Sequence, residues 1–391
     1  MNDPQAIQQL VRQAQGGDAA AQEALADLLD QQGRAADALR VLQAAAASGR
    51  PSALAKFGLR RLVGHGAPAS PAEGAAAIVA AAEAGDPFGL AMAAVIAAGG
   101  IGVPLDIHAA LTWLARAAER GDPRAVCQLG LMARASGGDP VEANRALGLA
   151  ADAGFAPARR AVIPPFIPGV ADFQRLAAEV NPFLFGPIAP PETVCEAPCV
   201  RVVPDLLPAW ACDYVMTLAE PGLGRAKVVD ERGGESVREI RTNRVVNFGL
   251  VDSDVLLELI NTRLGAAAGL PAENAEGLGV LNYQAGEEYA AHVDYIPDTP
   301  ANAAHLAARG QRVRTLLVYL NDDFEGGDTE FVRLKRGFRP PRGSALIFDN
   351  VTPDGQVDPL TLHRGAPPTR GQKWVISKWF RSKPLRPVPA P

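Results

Sequence analysis

The sequence predicts two folds joined in one chain: an all-α solenoid over residues 1–160 and a β-sandwich or barrel buttressed by helices from about residue 198. Three observations carry this. The first 160 residues are rich in Ala and Leu and poor in β-branched residues, a composition that favours helix. The same stretch repeats itself with a period in the mid-thirties. Beyond a Pro- and Gly-rich interruption, the chain breaks into short β-rich runs separated by Gly, Pro and Asp turns.

The repeat is visible in "AAAASGRPSALAKFG", "AAAEAGDPFGLAMAA", "RAAERGDPRAVCQLG" and "LAADAGFAPARRAV". Their glycines, Gly49, Gly85, Gly121 and Gly154, stand 36, 36 and 33 residues apart, with a degenerate copy around Gly17. Each glycine ends one helix, and the next starts after a short turn. Ala, Leu and Trp recur at three- and four-residue intervals in "AALTWLARAAERG", so each unit has an apolar face that only a neighbouring unit can cover. These copies resemble Sel1-like repeats, relatives of the tetratricopeptide family, and that resemblance implies an array that holds a protein partner.

Two stretches, "VIPPFIPGV" (162–170) and "NPFLFGPIAPPETV" (181–194), read as turns or extended chain, so residues 161–197 are expected to be a Pro-rich linker. Residues 198–382 follow as a second domain and 383–391 as a Pro-rich tail. "CVRVVPDLL" reads as a strand, and "PAWACDYVMTLAE" and "DVLLELINTRLGAAAGL" as helices. The runs "LGVLNYQAG", "VRTLLVYLN", "DTEFVRL", "SALIFDN" and "KWVISKWF" read as strands.

The bulk numbers exclude several classes. With 48% hydrophobic and 21% charged residues, the chain has the composition of a soluble protein. A net charge of −5 gives no general basic surface for nucleic acid. The start, "MNDPQAIQQLVRQAQ", lacks the basic and apolar regions of a secretory signal, and no long apolar run suggests a membrane span. Four cysteines are too few for a disulfide framework, and the CxxxC of Cys195 and Cys199 has no second Cys/His cluster to complete a zinc site. The expectation is a cytoplasmic protein with reduced thiols and neither nucleic-acid nor membrane partners; the oligomeric state is not legible.

The chemistry centres on "AAHVDYIPD". In extended backbone, residues i and i+2 share a face, so His292 and Asp294 can grip one ion. A third ligand is needed, and His305 and His363 are the histidines left outside the solenoid. Two histidines and one carboxylate on one side of a metal, with positions left open, form the facial triad of non-haem Fe(II) oxygenases.

Several further segments carry a resemblance: "RTN" (241–243), "LNYQAGEEYAAHVDY" (281–295), "GQRVRTLLVYLND" (310–322), "EGGDTEF" (325–331), "PPRGSALIFDN" (340–350) and "HRGAPPTRGQKWVISKWF" (363–380). Together they resemble prolyl 4-hydroxylase-type Fe(II)/2-oxoglutarate dioxygenases. The resemblance implies an α+β double-stranded β-helix (jelly roll) with Fe(II) held by His292, Asp294 and His363. It implies that Lys373, ten residues after His363, anchors the distal carboxylate of 2-oxoglutarate, with Arg370 as the rival anchor. Alternation along "KWVISKWF" puts Lys373, Val375 and Ser377 on one face. The same matching implies that Tyr283 and Thr329 bond the cosubstrate and that Tyr319 lines its pocket. Arg241, Tyr289, Arg312, Trp379 and Arg381 fall where such hydroxylases shape the peptide groove, although collagen-type members often carry histidine at the position of Arg381. Segments 230–243 and 296–310 read as loops that close over the site.

The function implied is hydroxylation of a prolyl residue in a protein or peptide held by the repeats, using Fe(II), 2-oxoglutarate and O2, with ascorbate as reductant. Hydroxylation of a free amino acid or small metabolite is the enzymatic alternative, and a non-catalytic oxygen- or iron-sensing adaptor is the other. Asp294 argues against halogenation, in which that carboxylate is replaced.

Overall fold

The structure, a computed structural model, describes residues 4–226, 228, 229, 235, 236 and 241–386. The helical half runs α1 (Pro4–Gln15), α2 (Ala19–Gln31), α3 (Ala35–Ala47), α4 (Pro51–Val63), α5 (Pro71–Glu83), α6 (Pro87–Gly99), α7 (Ile107–Glu119), α8 (Pro123–Ala135), α9 (Pro140–Asp152) and α10 (Ala156–Ala161). From α2 to α9 every helix has 13 residues. The "GDP" tripeptides explain the regular breaks. Gly85 and Gly121 turn the chain at φ of 79° and 85°, which a side chain would resist. Asp86 and Asp122 then accept hydrogen bonds from the first free N–H groups of α6 and α8, and Pro87 and Pro123 occupy the first turn, where no donor is needed.

Close helix approach depends on small residues. A Cβ on Gly58 of α4 would lie 2.6 Å from the carbonyl oxygen of Gly74 in α5. Gly58→Ala is therefore expected to force the two helices apart and cost about 1–3 kcal/mol, read as a lower unfolding temperature by circular dichroism.

The stretch expected to be a linker is only partly extended. It contains α11 (Phe173–Glu179), capped by the Asp172 carboxylate and packed on α7 and α8 through Leu176 and Ala177. It ends in β1 (Glu192–Cys195), the edge strand of the main sheet. The guanidinium of Arg263 also binds the carbonyls of Gly186 (2.8 Å) and Pro187 (3.1 Å), so this segment is clamped to the catalytic half.

The second half adds α12 (Ala209–Ala219), α13 (Val255–Ala268) and α14 (Ala303–Arg309) to two facing sheets. The main sheet consists of β1, β2 (Val200–Val203), β3 (Gly224–Arg225), β6 (Arg244–Phe248), β7 (Leu278–Tyr283), β9 (Arg312–Tyr319), β13 (Ala345–Asp349) and β16 (Lys373–Arg381), in the order β1-β2-β13-β9-β16-β7-β6-β3. The minor sheet consists of β8 (Tyr289–His292), β11 (Thr329–Phe331), β12 (Arg336–Phe338) and β14 (His363–Gly365), in the order β12-β11-β14-β8. Two small ribbons complete it: β4 (Val228–Val229) with β5 (Glu235–Ser236), and β10 (Glu325–Gly326) with β15 (Pro368–Arg370). All of these pairings are antiparallel, so the crossed sheets form the expected jelly roll.

Alternation sorts the main sheet into two faces. Val280, Leu316, Val318, Trp374, Ile376 and Phe380 join the core shared with α13. Tyr283, Leu317, Lys373, Val375 and Ser377 face the opposite way, into a cleft toward the minor sheet. The fully buried Lys378 donates to Asn261 of α13 at 2.7 Å, which satisfies a polar group on the apolar side.

The repeat array packs on the outer side of these helices. α13 is buried nearly all round, with α6 and α7 against it, and one continuous apolar core runs from Leu62 to Phe380. Polar contacts also fix the join, among them the Leu256 N–H donating to Gln128 of α8 (3.0 Å) and Arg124 donating to the Asp252 carbonyl (3.2 Å). Among the described residues no helix is long and apolar enough to cross a membrane.

Candidate active site

His292 ends β8, and His363 opens its antiparallel neighbour β14, where the register makes the two residues direct partners. Asp294 follows two residues after His292 and turns under both rings. Its carboxylate oxygens lie 3.6 Å from the Nε2 of His292 and 3.7 Å from the Nε2 of His363. The three ligand atoms all lie within 4.8 Å of one another, and no other such group occurs among the described residues. His305, the other candidate ligand, sits on α14 with its Nε2 3.1 Å from the Arg381 guanidinium.

Local bonds prepare each ligand. The Nδ1–H of His292 donates to its own strand at the Ala290 carbonyl (2.9 Å), and that of His363 to the Thr361 carbonyl (2.8 Å). Both Nε2 atoms are thus the free, metal-facing nitrogens. Burial, reinforced by the neighbouring His363, pushes the His292 imidazole down to about 3, so it stays neutral. Burial alone would raise the Asp294 carboxyl, but the two histidines, Arg312 and the Thr315 hydroxyl bring it below its usual value. Two imidazoles presenting Nε2 and one carboxylate fit a divalent first-row metal with positions left open.

Two residues that the sequence reading missed hold the carboxylate. Thr315 of β9 donates from Oγ1 to Asp294 Oδ2 at 2.8 Å, and Asn350 donates from Nδ2 to Thr315 Oγ1 at 2.9 Å. All three are buried. Alternation in "VRTLLVY" places Thr315 on the same side as Leu317 and Tyr319, a signal that was available in the sequence. Thr315→Val is expected to weaken Fe(II) or Mn(II) binding about 10- to 100-fold, measured by anaerobic titration, with the fold retained.

Lys373 heads β16 opposite Tyr283 of β7. Its ammonium is buried, 5.2 Å from the Tyr283 ring centre and 4.9 Å from that of Tyr319, and no carboxylate pairs with it among the described residues. Burial pushes it down to about 7, with the more distant Asp328 pulling upward. A buried cation without an anion is costly, so this pocket fits a carboxylate ligand. Tyr319 shares a 2.8 Å hydrogen bond with Thr329, and Gly365 leaves room for Tyr283, whose hydroxyl would lie 3.0 Å from any Cβ there. Lys373, Tyr283, Thr329 and the three metal-facing side chains line one cavity. Tyr319 stands behind it. Arg370, the rival anchor, points outward and pairs with Glu325 at 2.6 Å.

The cavity opens into a groove of about 800 Å³ walled by Arg241, Tyr289, Arg312 and Trp379. Tyr289 stacks on the His292 ring with centroids 3.5 Å apart, and the Arg241 guanidinium lies 4.5 Å from the Tyr289 ring centre. Arg312 lies 3.7 Å over Trp379 and is gripped by Glu276 at 2.6 and 2.8 Å. Burial alone would raise Glu276, but Arg312 and Arg381 lower it. The structure places Arg381 elsewhere than the sequence suggests. It is buried beneath the groove, donating to Glu276 (2.5 Å) and the Gly310 carbonyl (2.8 Å), where a register shift between Phe380 and Arg381 interrupts the alternation of β16.

Of the two expected closing loops, 296–310 contains α14 and is tied down by Gln311, which bonds the backbone of Ile296, and by Lys383, which donates to Ala307. The other, 230–243, lies outside the described residues at 230–234 and 237–240.

A buried two-histidine, one-carboxylate cluster beside an unpaired lysine in a jelly roll defines an iron-dependent oxygenase that takes an acidic cosubstrate. Residues 278–381 match the 2OG-Fe(II) oxygenase superfamily. Prolyl 4-hydroxylase 1 of Arabidopsis thaliana is 35% identical over 208 residues, covering 49% of this chain and 72% of that protein. Among solved structures, a viral collagen prolyl hydroxylase from Paramecium Bursaria Chlorella virus-1 aligns with a TM-score of 0.37 and 22% identity, covering 49% of this chain and 99% of that one. A Sel1 repeat protein from Oxalobacter formigenes aligns with a TM-score of 0.37 and 26% identity, covering 45% of this chain and 79% of that one. The chain belongs to the 2OG-Fe(II) oxygenase superfamily and is an enzyme that uses Fe(II), 2-oxoglutarate and O2.

Proposed function

We propose that the protein hydroxylates a prolyl residue within a protein or peptide, releasing succinate and CO2. The observation that carries this reading is the open groove of about 800 Å³ above the metal-facing side chains, far larger in volume than a free amino acid fills. Its aromatic and guanidinium walls offer stacking and carbonyl-binding surfaces to an extended peptide. The relationship to prolyl 4-hydroxylases supports proline as the residue modified.

Iron with 2-oxoglutarate and O2 supplies the oxidative decarboxylation and the oxygen inserted into the substrate. The chain supplies placement. His292, Asp294 and His363 hold the metal, and Thr315 and Asn350 keep the carboxylate turned toward it. Lys373 binds the distal carboxylate of the cosubstrate, and the Tyr283 and Thr329 hydroxyls complete that pocket. Val375 and Leu317 keep it dry. Tyr289 presses the His292 ring into position while presenting its edge to the groove. Arg312 and Trp379 form the opposite wall, and Arg381 and Glu276 position Arg312 from below.

The test is succinate formation from 2-oxoglutarate, with Fe(II), O2 and ascorbate, in the presence of proline-containing peptides or free proline. Peptide-stimulated turnover that His292→Ala removes is the expected result. Stimulation by free proline alone overturns the peptide reading, and metal binding without turnover on any substrate leaves the adaptor.

The second half of the proposal is that the repeats dock the same protein substrate. A groove of about 530 Å³ on the first repeats, lined by Leu39, Arg40, Gln43, Phe57 and Arg61, supports it. Because the array and catalytic half share a core, point changes test this better than deletion. Arg40→Glu with Arg61→Glu is expected to raise KM for a protein substrate and leave a short peptide unchanged; equal effects on both overturn it. A cytoplasmic setting belongs to the same reading, supported by four free cysteines.

A further inference from the structure

Between the repeat array and the catalytic half lies a cavity of about 240 Å³ with no part in the reaction above. Leu131 and Arg134 of α8 form one wall, Arg160 and Ile163 at the end of α10 a second, and Trp210 and Asp213 of α12 the third. Three features mark it as a built site. Its body is apolar and rigid: Trp210 is held by stacking on Phe185, with centroids 5.8 Å apart. Ile163 leaves 62% of its surface without protein cover. The charges do not balance, since Asp213 is shared by Arg160 (3.5 Å) and Arg342 (2.9 Å), while Arg134 has no carboxylate partner among the described residues. Arg134 is half-buried and donates to the Ala161 carbonyl at 2.8 Å, which orients its guanidinium and leaves other donors without a partner among the described residues.

A guanidinium without a carboxylate partner among the described residues, lining a largely apolar cavity at a domain junction, calls for an anion attached to an apolar body. We propose that this cavity binds a small amphipathic carboxylate, with its chain or ring against Trp210, Leu131 and Ile163 and its carboxylate on Arg134. The size suits a single aliphatic chain or one ring. Because the walls come from both halves, occupancy stabilises the join.

The inference does not rest on the hydroxylase reading, because its test reads binding. The full chain is first saturated with Mn(II) and 2-oxoglutarate, which fills the other carboxylate site. Octanoate is the probe and octan-1-ol its uncharged match, followed by calorimetric titration and thermal unfolding. Octanoate is expected to bind once per chain and raise the unfolding temperature, with octan-1-ol at least about tenfold weaker. Arg134→Gln is expected to weaken octanoate about tenfold or more. Ile163→Trp, which fills the cavity from its exposed side, is expected to abolish binding without disturbing a buried contact. Absence of octanoate binding, equal binding of octan-1-ol, or full binding in either folded variant overturns the proposal.

Discussion

In a His292→Ala variant, Fe(II) and Mn(II) binding is lost, and succinate formation falls by at least about two orders of magnitude, more than loss of an outer-shell partner produces. The reason is geometric. The site has three protein donors, and His292 and His363 are register partners on neighbouring strands with Asp294 beneath both. No other acidic or imidazole group among the described residues lies close enough to substitute. The fold survives, because the ring is part-exposed and its main packing contact, Tyr289, lies on the groove side. Metal titration with circular dichroism checks both statements; retained metal affinity sinks the assignment.

Lys373→Ala is expected to raise KM for 2-oxoglutarate by about 100-fold or more, the scale for truncating one member of a buried charge pair, with a smaller change in kcat. The pH dependence gives a sharper check. Burial holds free Lys373 down to about 7, Asp328 is the charge that pulls it up, and the neutral Tyr283 and Tyr319 face it. A bound carboxylate favours the ammonium and raises that value, so binding takes up a proton above pH 7. The affinity for 2-oxoglutarate should therefore be highest below about pH 7 and fall by about tenfold per pH unit above it. Titration calorimetry in buffers of different ionisation enthalpy reads the proton directly. A flat profile with no proton uptake rules out Lys373 as the anchor.

Much of this site was legible in the sequence because it uses period-two geometry. The HxD pair and the inward face of "KWVISKWF" both follow from alternation. The repeats were legible because Gly recurs at a near-constant interval with Pro two or three residues behind it, each with its own reason for standing at a helix end. What sequence could not give was depth. Arg381 and Arg312 are register partners on β16 and β9, yet one is buried and the other lines the groove, and Glu276, 36 residues before Arg312, pairs with both. The strand β6 (Arg244–Phe248) also escaped notice, since "RVVNF" is too short to stand out before it pairs with β7. α11 was hidden between prolines, and only its packing on α7 and α8 makes seven residues helical.

The shared core also bears on how the molecule is made. Synthesis starts at the amino terminus, so α6, α7 and α8 exist before α13. α13 carries apolar residues on nearly every side, and such a helix has no stable life in water by itself. It therefore meets a finished apolar surface, with Gln128 in place to receive the Leu256 N–H, as soon as it is made. The array acts in this sense as a template bound permanently to its client. The iron site, assembled from strands that come later still, inherits its alignment from that first docking.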